Sequence, residues 1–269
     1  MAKDLTATEI DHRVERDGNV ATVIIDRPHA RNSLTIELVH SLRATFGRLN
    51  ADPDVRAIVL TGAGNSFCAG QALDDARVVN ENSVIDLTAA IDEGYNPLVT
   101  AIIASDKPVV AAVQGAAAGA GFSLACACDF RIVADNAFFT SAFVKIGLAP
   151  DGALSFTLPR IVGYAKALEI CMLSERIDAG KADALGLCTR VVAGADVLSE
   201  AQSLARTLAS GARSVGLTKR LLQGNTLGSA LQDALRLELE TQRETTATSD
   251  FREGIVAFLG KREPRFTGK

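Results

Sequence analysis

The chain has 269 residues, of which 48% are hydrophobic and 22% charged, and 28 Lys and Arg against 32 Asp and Glu give a net charge of −4. This composition excludes a disordered chain, and the acidic balance offers no basic surface for a nucleic acid or an anionic membrane. Five cysteines are an odd number for a disulfide scaffold, so we expect reduced thiols and a cytoplasmic protein. Neither the cysteines nor the three histidines have the spacing of a metal site.

The first two thirds of the chain alternate buried strands with helices. A hairpin is predicted near the start, because Asp17-Gly18 favours a tight turn between two strand-like runs. Predicted strands cover residues 9–16, 19–26, 56–61, 108–113, 129–134, 137–140 and 189–192. Predicted helices cover residues 34–49, 84–105 with an interruption near Pro97, 119 onward, 154–162, 165–173 and 179–185. The pattern predicts an α/β fold of repeated strand-strand-helix units.

From Leu198 onward the periodicity is helical throughout. We therefore divide the chain into an α/β body at residues 1–197, which holds the active site, and a helical region at residues 198–269. That region has more apolar helical positions than one layer on a small body requires, which predicts an interface between subunits. These positions are Leu204, Leu208, Leu217, Leu221, Leu231 and Leu235. The uncharged stretch 108–128 predicts a strand, a turn and a helix rather than a membrane span, because it is rich in alanine and broken by Gly115.

Two glycine-rich segments, residues 62–71 and 115–121, each follow a predicted buried strand. Neither has the spacing of a dinucleotide-binding motif or of a phosphate loop. Glycine at such junctions lets backbone N–H groups approach a ligand, and two junctions can direct two amides at one oxygen, as in an oxyanion hole. The alternative is that these glycines only permit tight turns and close packing.

Six motifs, in the same order, make the chain resemble the enoyl-CoA hydratase/isomerase (crotonase) family over essentially its whole length. They are RPHARNSL at 27–34, GNSFCAGQ at 64–71, VQGAAAGAG at 113–121, CDFRIVA at 128–134, LPRIVG at 158–163, and FREG at 251–254 followed by AFLGKR at 257–262. The resemblance implies a crotonase-like spiral of ββα units with a C-terminal helical trimerisation region. It also implies an acyl-CoA thioester substrate, no separate cofactor, and a homotrimer or a dimer of trimers.

The resemblance places the two oxyanion amides on Gln71 and Ala120. Ala120 stands where the family commonly has glycine, and Ala72 stands where it usually has aspartate. The first exchange leaves the backbone N–H in place, whereas the second removes a carboxylate from the loop. Arg27 would be a contact for the CoA phosphates. The other residues implied in substrate binding are Ala30, Gly70, Ala72, Leu73, Gly119, Phe143, Phe258 and Lys261.

The family's hydratases use two glutamates, and the matching positions here are Ser123 and Phe143. Neither side chain can act as a general base toward water, so hydratase activity is not expected. Asp151 stands where the family's single-acid isomerases carry their acid. The alternative interpretation is that Asp151 only caps the helix that follows. Phe122, Phe139, Phe143 and Leu148 are the predicted apolar wall around this acid.

The predicted function is an isomerase that moves a double bond from the Δ3 to the Δ2 position of an enoyl-CoA, with Asp151 as its single acid and base. One alternative is an isomerase of aromatic-ring-derived acyl-CoA, since the segment FCAGQ and the tail from Phe258 resemble the ring-1,2-epoxyphenylacetyl-CoA isomerases. Another is a catalytically weak acyl-CoA-binding homologue. Dehalogenation by a nucleophilic acid fits poorly, because that branch uses Trp and the chain has none. Acyl-chain length remains open.

Overall fold

The main sheet of the protein is built around three central strands that are buried along their whole length. The computed structural model describes residues 8–9, 11–73, 79–80, 83–84, 87–227 and 230–267. In these ranges seven strands form one sheet in the order β1-β2-β3-β4-β7-β9-β12. They are β1 (Thr8–Glu9), β2 (His12–Asp17), β3 (Val20–Ile25), β4 (Ala57–Gly62), β7 (Val109–Val113), β9 (Phe130–Ala134) and β12 (Arg190–Val192). A separate two-stranded ribbon consists of β5 (Val79–Asn80) and β6 (Ser83–Val84).

The hairpin predicted at Asp17-Gly18 is confirmed, because β2 and β3 pair antiparallel on either side of it. From β3 onward every neighbouring pair in the sheet is parallel. Parallel strands need helical crossovers that cover both faces of a sheet, which is why β3, β4 and β7 are hydrophobic runs without alternation.

A second, smaller sheet gives the fold its repeated ββα unit. It has the order β11-β10-β8 and consists of β8 (Ala116–Ala118), β10 (Phe138–Thr140) and β11 (Ile177–Asp178). The chain passes from β7 in the large sheet to β8 in the small one and then into a helix, and β9 and β10 repeat this step. The sequence analysis assigned residues 116–118 to the glycine-rich turn and therefore missed β8.

The helices agree with the periodic segments to within a few residues. They are α1 (Ile36–Ala51), α2 (Leu87–Ala90), α3 (Asn96–Ile103), α4 (Ala120–Ala127), α5 (Leu154–Val162), α6 (Tyr164–Leu173), α7 (Ala179–Ala184), α8 (Val197–Ser210), α9 (Ser214–Thr226), α10 (Ala230–Thr246) and α11 (Ser249–Leu259). The uncharged stretch 108–128 contains strands β7 and β8 and helix α4, as the predicted strand, turn and helix required except for the extra strand β8. Within the described ranges, no helix has both the length and the apolar character that a bilayer crossing requires.

The interruption predicted near Pro97 lies earlier in the chain. A π-helical turn at Ile91–Tyr95 joins α2 to α3, and Pro97 occupies the first turn of α3. The helical backbone continues from the π turn into α3, because the Asn96 N–H donates to the Ile91 oxygen five residues earlier. The π turn is therefore the local irregularity, and it brings Tyr95 to the site described below.

The C-terminal helices are not a uniform interface layer. Helix α8 packs on β3, β4, β7 and β9 although it follows the predicted boundary at residue 197. Leu204 and Leu208 lie partly buried against the core, and Leu231 and Leu235 are buried. These four leucines therefore pack against the core of the same chain, whereas the sequence analysis assigned them to an interface between subunits. Leu217 and Leu221 of α9 remain 40% and 64% exposed.

The five cysteines form no disulfide in the described part of the chain. All five are free thiols, and Cys68, Cys126 and Cys128 are buried. Burial raises the pKa of each of these three thiols to about 12, which keeps them protonated and unreactive. Among the described residues, no three His, Cys, Asp or Glu side chains are grouped so as to hold a metal ion.

Candidate active site

The two glycine-rich segments meet side by side. Residues 67–70 run along β8, since Cys68 and Ala117 form a parallel bridge and the N–H of Ala118 donates to the oxygen of Cys68 at 3.0 Å. Gly70 has φ +90°, and a Cβ added to it would lie 2.8 Å from the Ala118 oxygen and 3.4 Å from the Ala120 nitrogen. A Cβ on Gly121 would lie 2.2 Å from the Cys68 oxygen. The close approach of the two loops therefore requires glycine at both positions.

Two backbone N–H groups at this junction are available to a ligand. Among the described residues, neither the amide of Gln71 nor that of Ala120 donates a hydrogen bond. Ala120 is the first residue of α4, where a backbone N–H has no acceptor within the helix. Both residues line one cavity. Two converging N–H donors can bind the oxygen of a thioester and the negative charge that develops on it.

The cavity has a volume of about 380 Å³ and a mostly apolar wall. Its apolar lining includes Leu73, Leu87, Ala90, Ile91, Phe143, Ile146, Leu148 and Phe258. Tyr95 also lines the cavity, and its hydroxyl donates to Oε1 of Gln71 at 2.7 Å. The charged groups among the described lining residues are Lys145, Asp151, Arg262 and Glu263. An acyl chain fits this wall, since apolar surface dominates it.

Asp151 is the buried acid of the cavity, with 7% of its surface exposed. Its Oδ2 accepts a hydrogen bond from Nε2 of Gln242 at 2.8 Å. Burial raises the pKa of Asp151 to about 6, and the Gln242 donor opposes this rise. A carboxyl with a pKa in this range can both remove and return a proton near neutral pH.

Asp151 does not cap the helix that follows it. The residue before α5 is Ala153, and the structure assigns no side-chain cap there. The carboxylate of Glu238 accepts hydrogen bonds from the amides of Ala153 at 2.8 Å and Ser155 at 3.0 Å instead. The capping alternative for Asp151 is therefore not supported, because another acid binds these amides.

Glu238 and Gln242 of α10 are functional candidates that the sequence analysis missed. Both are buried, with 3% and 0% of their surfaces exposed, on the same helix face as Leu231 and Leu235. A signal was present in the sequence. Two polar residues four positions apart on an otherwise apolar helical stripe indicate buried polar partners elsewhere in the fold.

The two positions matched to the hydratase glutamates carry no acid. Ser123 is 1% exposed, and its hydroxyl donates to the backbone oxygen of Asp151 at 2.8 Å. Phe143 is 6% exposed and lines the cavity. Neither residue can activate a water molecule.

The predicted apolar wall is correct for Phe143 and Leu148 and wrong for the other two phenylalanines. Phe122 and Phe139 are fully buried, their ring centroids lie 5.2 Å apart, and they are not among the residues that line the cavity. They pack between α4 and β10 as part of the core, so the cavity does not reach them.

The predicted substrate-binding residues fall into two groups. Gly70, Leu73, Gly119, Phe143 and Phe258 line the cavity with the predicted catalytic residues, whereas Arg27, Ala30, Ala72 and Lys261 are not among its lining residues. The Arg27 guanidinium donates to the Ser33 oxygen at 2.6 Å and lies 3.1 Å from a carboxylate oxygen of Asp11. Ala72 is buried and donates to the Leu34 oxygen. The phosphate contact of Arg27 stays a prediction.

Burying Asp151 makes the stability of the protein depend on pH. The pKa of its carboxyl rises from 3.8 to about 6 on folding, so the folded state binds a proton more tightly. Ionising this buried carboxyl lowers the free energy of unfolding. The loss is absent below about pH 4, grows as the pH rises, and reaches about 3 kcal/mol above pH 6.

We therefore expect Asp151→Asn to be more stable than the wild type near pH 8, and the difference to vanish near pH 4. Urea unfolding of both proteins at each pH measures this difference in the free energy of unfolding. Glu175→Gln, at an exposed acid, is the control. An equal difference at both pH values would contradict the expectation.

Comparisons with known proteins identify the family to which the chain belongs. The model of the family Enoyl-CoA hydratase/isomerase matches residues 15–269. The chain is 39% identical over 254 residues to the 1,2-epoxyphenylacetyl-CoA isomerase of Escherichia coli (strain K12), covering 93% of this chain and 95% of that protein. It is 40% identical over 257 residues to a probable enoyl-CoA hydratase of Rhodobacter capsulatus, covering 96% and 98%.

A solved structure gives the same result for the fold. The crystal structure of an enoyl-CoA hydratase from Mycobacterium avium subsp. paratuberculosis K-10 superposes with a TM-score of 0.86 at 36% identity, covering 96% of this chain and 99% of that one. The predicted crotonase-like fold with C-terminal helices is thereby confirmed. The chain belongs to the enoyl-CoA hydratase/isomerase (crotonase) family and shares its acyl-CoA hydratase/isomerase activity.

Proposed function

We propose that the protein is an isomerase that moves the double bond of a 3-enoyl-CoA to the 2-position, with Asp151 as its single acid and base. The observation that carries this proposal is the cavity itself. It combines the free amides of Gln71 and Ala120 with one buried carboxyl, while Ser123 and Phe143 occupy the positions of the hydratase glutamates.

In this mechanism the two amides bind the thioester oxygen and make the hydrogens at C2 acidic. The Asp151 carboxylate takes a proton from C2, the electron pair of the C–H bond enters the enolate, and the amides stabilise the charge on the oxygen. The protonated Asp151 then gives the same proton to C4 as the double bond shifts. The apolar wall excludes water, which favours the carboxylate as a base and suppresses hydration.

A second candidate keeps the same acid and changes the acyl group. The likeness to a 1,2-epoxyphenylacetyl-CoA isomerase favours a ring-derived acyl-CoA as substrate. Tyr95, whose hydroxyl donates to Gln71, also lines the cavity and adds a polar side chain that suits an oxygenated ring better than an alkyl chain. An acyl-CoA-binding protein without turnover is the third alternative.

A substrate panel separates the three alternatives. Purified protein is given 2-enoyl-, 3-enoyl- and ring-derived acyl-CoA, and products are followed by mass and ultraviolet absorbance. We expect the 3-enoyl-CoA to become conjugated without a change of mass. Binding of all three substrates without any product would support the third alternative and contradict the proposal.

Restoring one glutamate is not expected to create a hydratase. In Ser123→Glu the position of the second hydratase glutamate is still occupied by Phe143, whose ring cannot hold or orient a water molecule. The site is also crowded, because a Cβ on Gly152 would lie only 3.0 Å from the Ser123 Cβ. We expect hydration of crotonyl-CoA to stay far below the isomerisation rate, with Ser123→Ala as the control without an acid. Comparable rates of the two reactions would refute this account of the pocket.

We further propose a homotrimer, or a dimer of trimers, joined through helices after Leu198. On α9 the side chains of Leu217, Leu221 and Leu222 are exposed, which is costly in water unless another surface covers them. An apolar face on α6, with Tyr164, Leu168 and Met172 one turn apart, was not predicted and adds to this surface. Light scattering at micromolar concentration is expected to give a multiple of three chains, and a monomer would contradict the proposal.

A further inference from the structure

Helix α10 carries buried polar side chains toward the loop that holds Asp151. Burying a polar group is unfavourable unless it is hydrogen-bonded, so the partners of Glu238 and Gln242 indicate what these residues do. Both bind the segment from Asp151 to Ser155. Helix α10 is therefore hydrogen-bonded to this loop through two side chains that lie one helical turn apart.

The amide of Gln242 is oriented by its own neighbours. Its Oε1 accepts a hydrogen bond from the Thr245 hydroxyl at 2.8 Å, so Nε2 faces Asp151 and donates to Oδ2 at 2.8 Å. No described residue donates to the other carboxyl oxygen, Oδ1. Asp151 lines the cavity, and Oδ1 is its carboxyl oxygen without a donor among the described residues.

The backbone around Asp151 is held independently of that contact. Gly152 and Ala153 both adopt left-handed conformations, with φ +60° and +63°, and the Glu238 carboxylate binds the Ala153 amide. The Ser123 hydroxyl binds the Asp151 backbone oxygen on the other side. Removing the Gln242 side chain should therefore leave the loop in place and affect mainly the carboxyl.

We infer that Gln242 is a positioning residue, which occupies Oδ2 of Asp151 and reserves Oδ1 for proton transfer. The inference rests on the proposed function. The proton from C2 of the substrate goes to Oδ1 and later from Oδ1 to C4, while the Gln242 N–H stays on Oδ2 and is not transferred. The hydrogen bond also favours the carboxylate, which is the form that acts as the base.

The electrostatic surroundings set the direction of the pH effect. Glu238 is the titratable group that reaches this loop from α10, and burial raises its pKa to about 7. Tyr95, Lys145, Arg262 and Glu263 line the same cavity from other elements. Without the Gln242 donor, the pKa of Asp151 should rise further, so that less carboxylate is present at a given pH.

The test compares kcat against pH for the wild type, Gln242→Leu and Gln242→Glu, with Gln232→Leu at an exposed position of α10 as the matched control. A hydrogen bond to a charged group changes an equilibrium by roughly tenfold or more. We expect the rising limb of the profile to lie about one pH unit higher in Gln242→Leu, with KM little changed. In Gln242→Glu the rising limb should lie at a still higher pH, because the new carboxylate repels the negative charge of ionised Asp151.

The inference would be overturned if the rising limb of the kcat profile stayed at the wild-type pH in both Gln242 variants. A lower kcat or Tm alone would then show that Gln242 only stabilises the fold. If Gln242→Leu does not fold, Gln242→Glu alone decides, because it too must shift the limb upward. Full turnover in Asp151→Asn would instead refute the proposed function. The two failures are therefore distinguishable.

Discussion

Asp151→Asn is expected to lower the isomerisation of 3-enoyl-CoA by about 10²–10⁴-fold, the usual contribution of a positioned acid–base group. Asparagine keeps the size of the side chain and an oxygen that can accept from Gln242, but it cannot take a proton from C2. Affinity for the 2-enoyl-CoA product should change little, because the amides of Gln71 and Ala120 are untouched. Turnover and product affinity, measured on the same preparation, check both statements.

Glu263→Gln is the matched control for this variant. Glu263 is the other acid among the described residues of the cavity wall, but it is exposed, so its loss should leave turnover nearly unchanged. Unchanged turnover in Asp151→Asn would contradict the single-acid mechanism. The remaining acids considered from the sequence are Asp74 and Asp75, which lie outside the described residues, and Glu93, which is exposed.

Ala120→Pro is expected to lower kcat/KM by at least about 10²–10³-fold, because it removes one donor of the oxyanion hole. The loss corresponds to about 3–4 kcal/mol of transition-state stabilisation. Ala120 is the first residue of α4, a position where proline is tolerated, so the helix itself should persist. Steady-state kinetics with 3-enoyl-CoA and a thermal melt give the two measurements needed.

Ala120→Gly separates the backbone from the side chain. It keeps the N–H and loses only a methyl group, so its kcat/KM should stay within a few-fold of the wild type if the amide does the binding. A folded Ala120→Pro variant with wild-type kinetics would remove Ala120 from the oxyanion hole.

The sequence predicts those parts of the fold that depend on local patterns. Asp17-Gly18 predicts the hairpin because a two-residue turn with glycine has few alternatives. Strands β4 and β7 follow from short apolar runs bounded by turn residues. Strand β8 could not be found this way, because Ala116–Ala118 has no strand-like composition and is extended through its pairing with β10 and its bridge to Cys68.

The sequence predicts the site residues that belong to a recognisable motif. It does not predict those that tertiary packing brings to the site. Gln71, Ala120 and Asp151 come from the resemblance, and the structure brings them to one cavity. Phe122 and Phe143 are equally apolar in the sequence, yet one lies in the core and the other on the cavity wall. Gln242 lies 91 positions from Asp151, and only the tertiary fold brings them together.

The central claim is that one carboxyl carries a proton from C2 to C4. The most direct test uses wild-type protein in ordinary water and a 3-enoyl-CoA that carries deuterium at C2, with the position of the label in the product read by NMR. Because Asp151 is buried in an apolar cavity, we expect part of the deuterium at C4 of the 2-enoyl-CoA. Complete turnover with no deuterium at C4 would contradict transfer by a single acid.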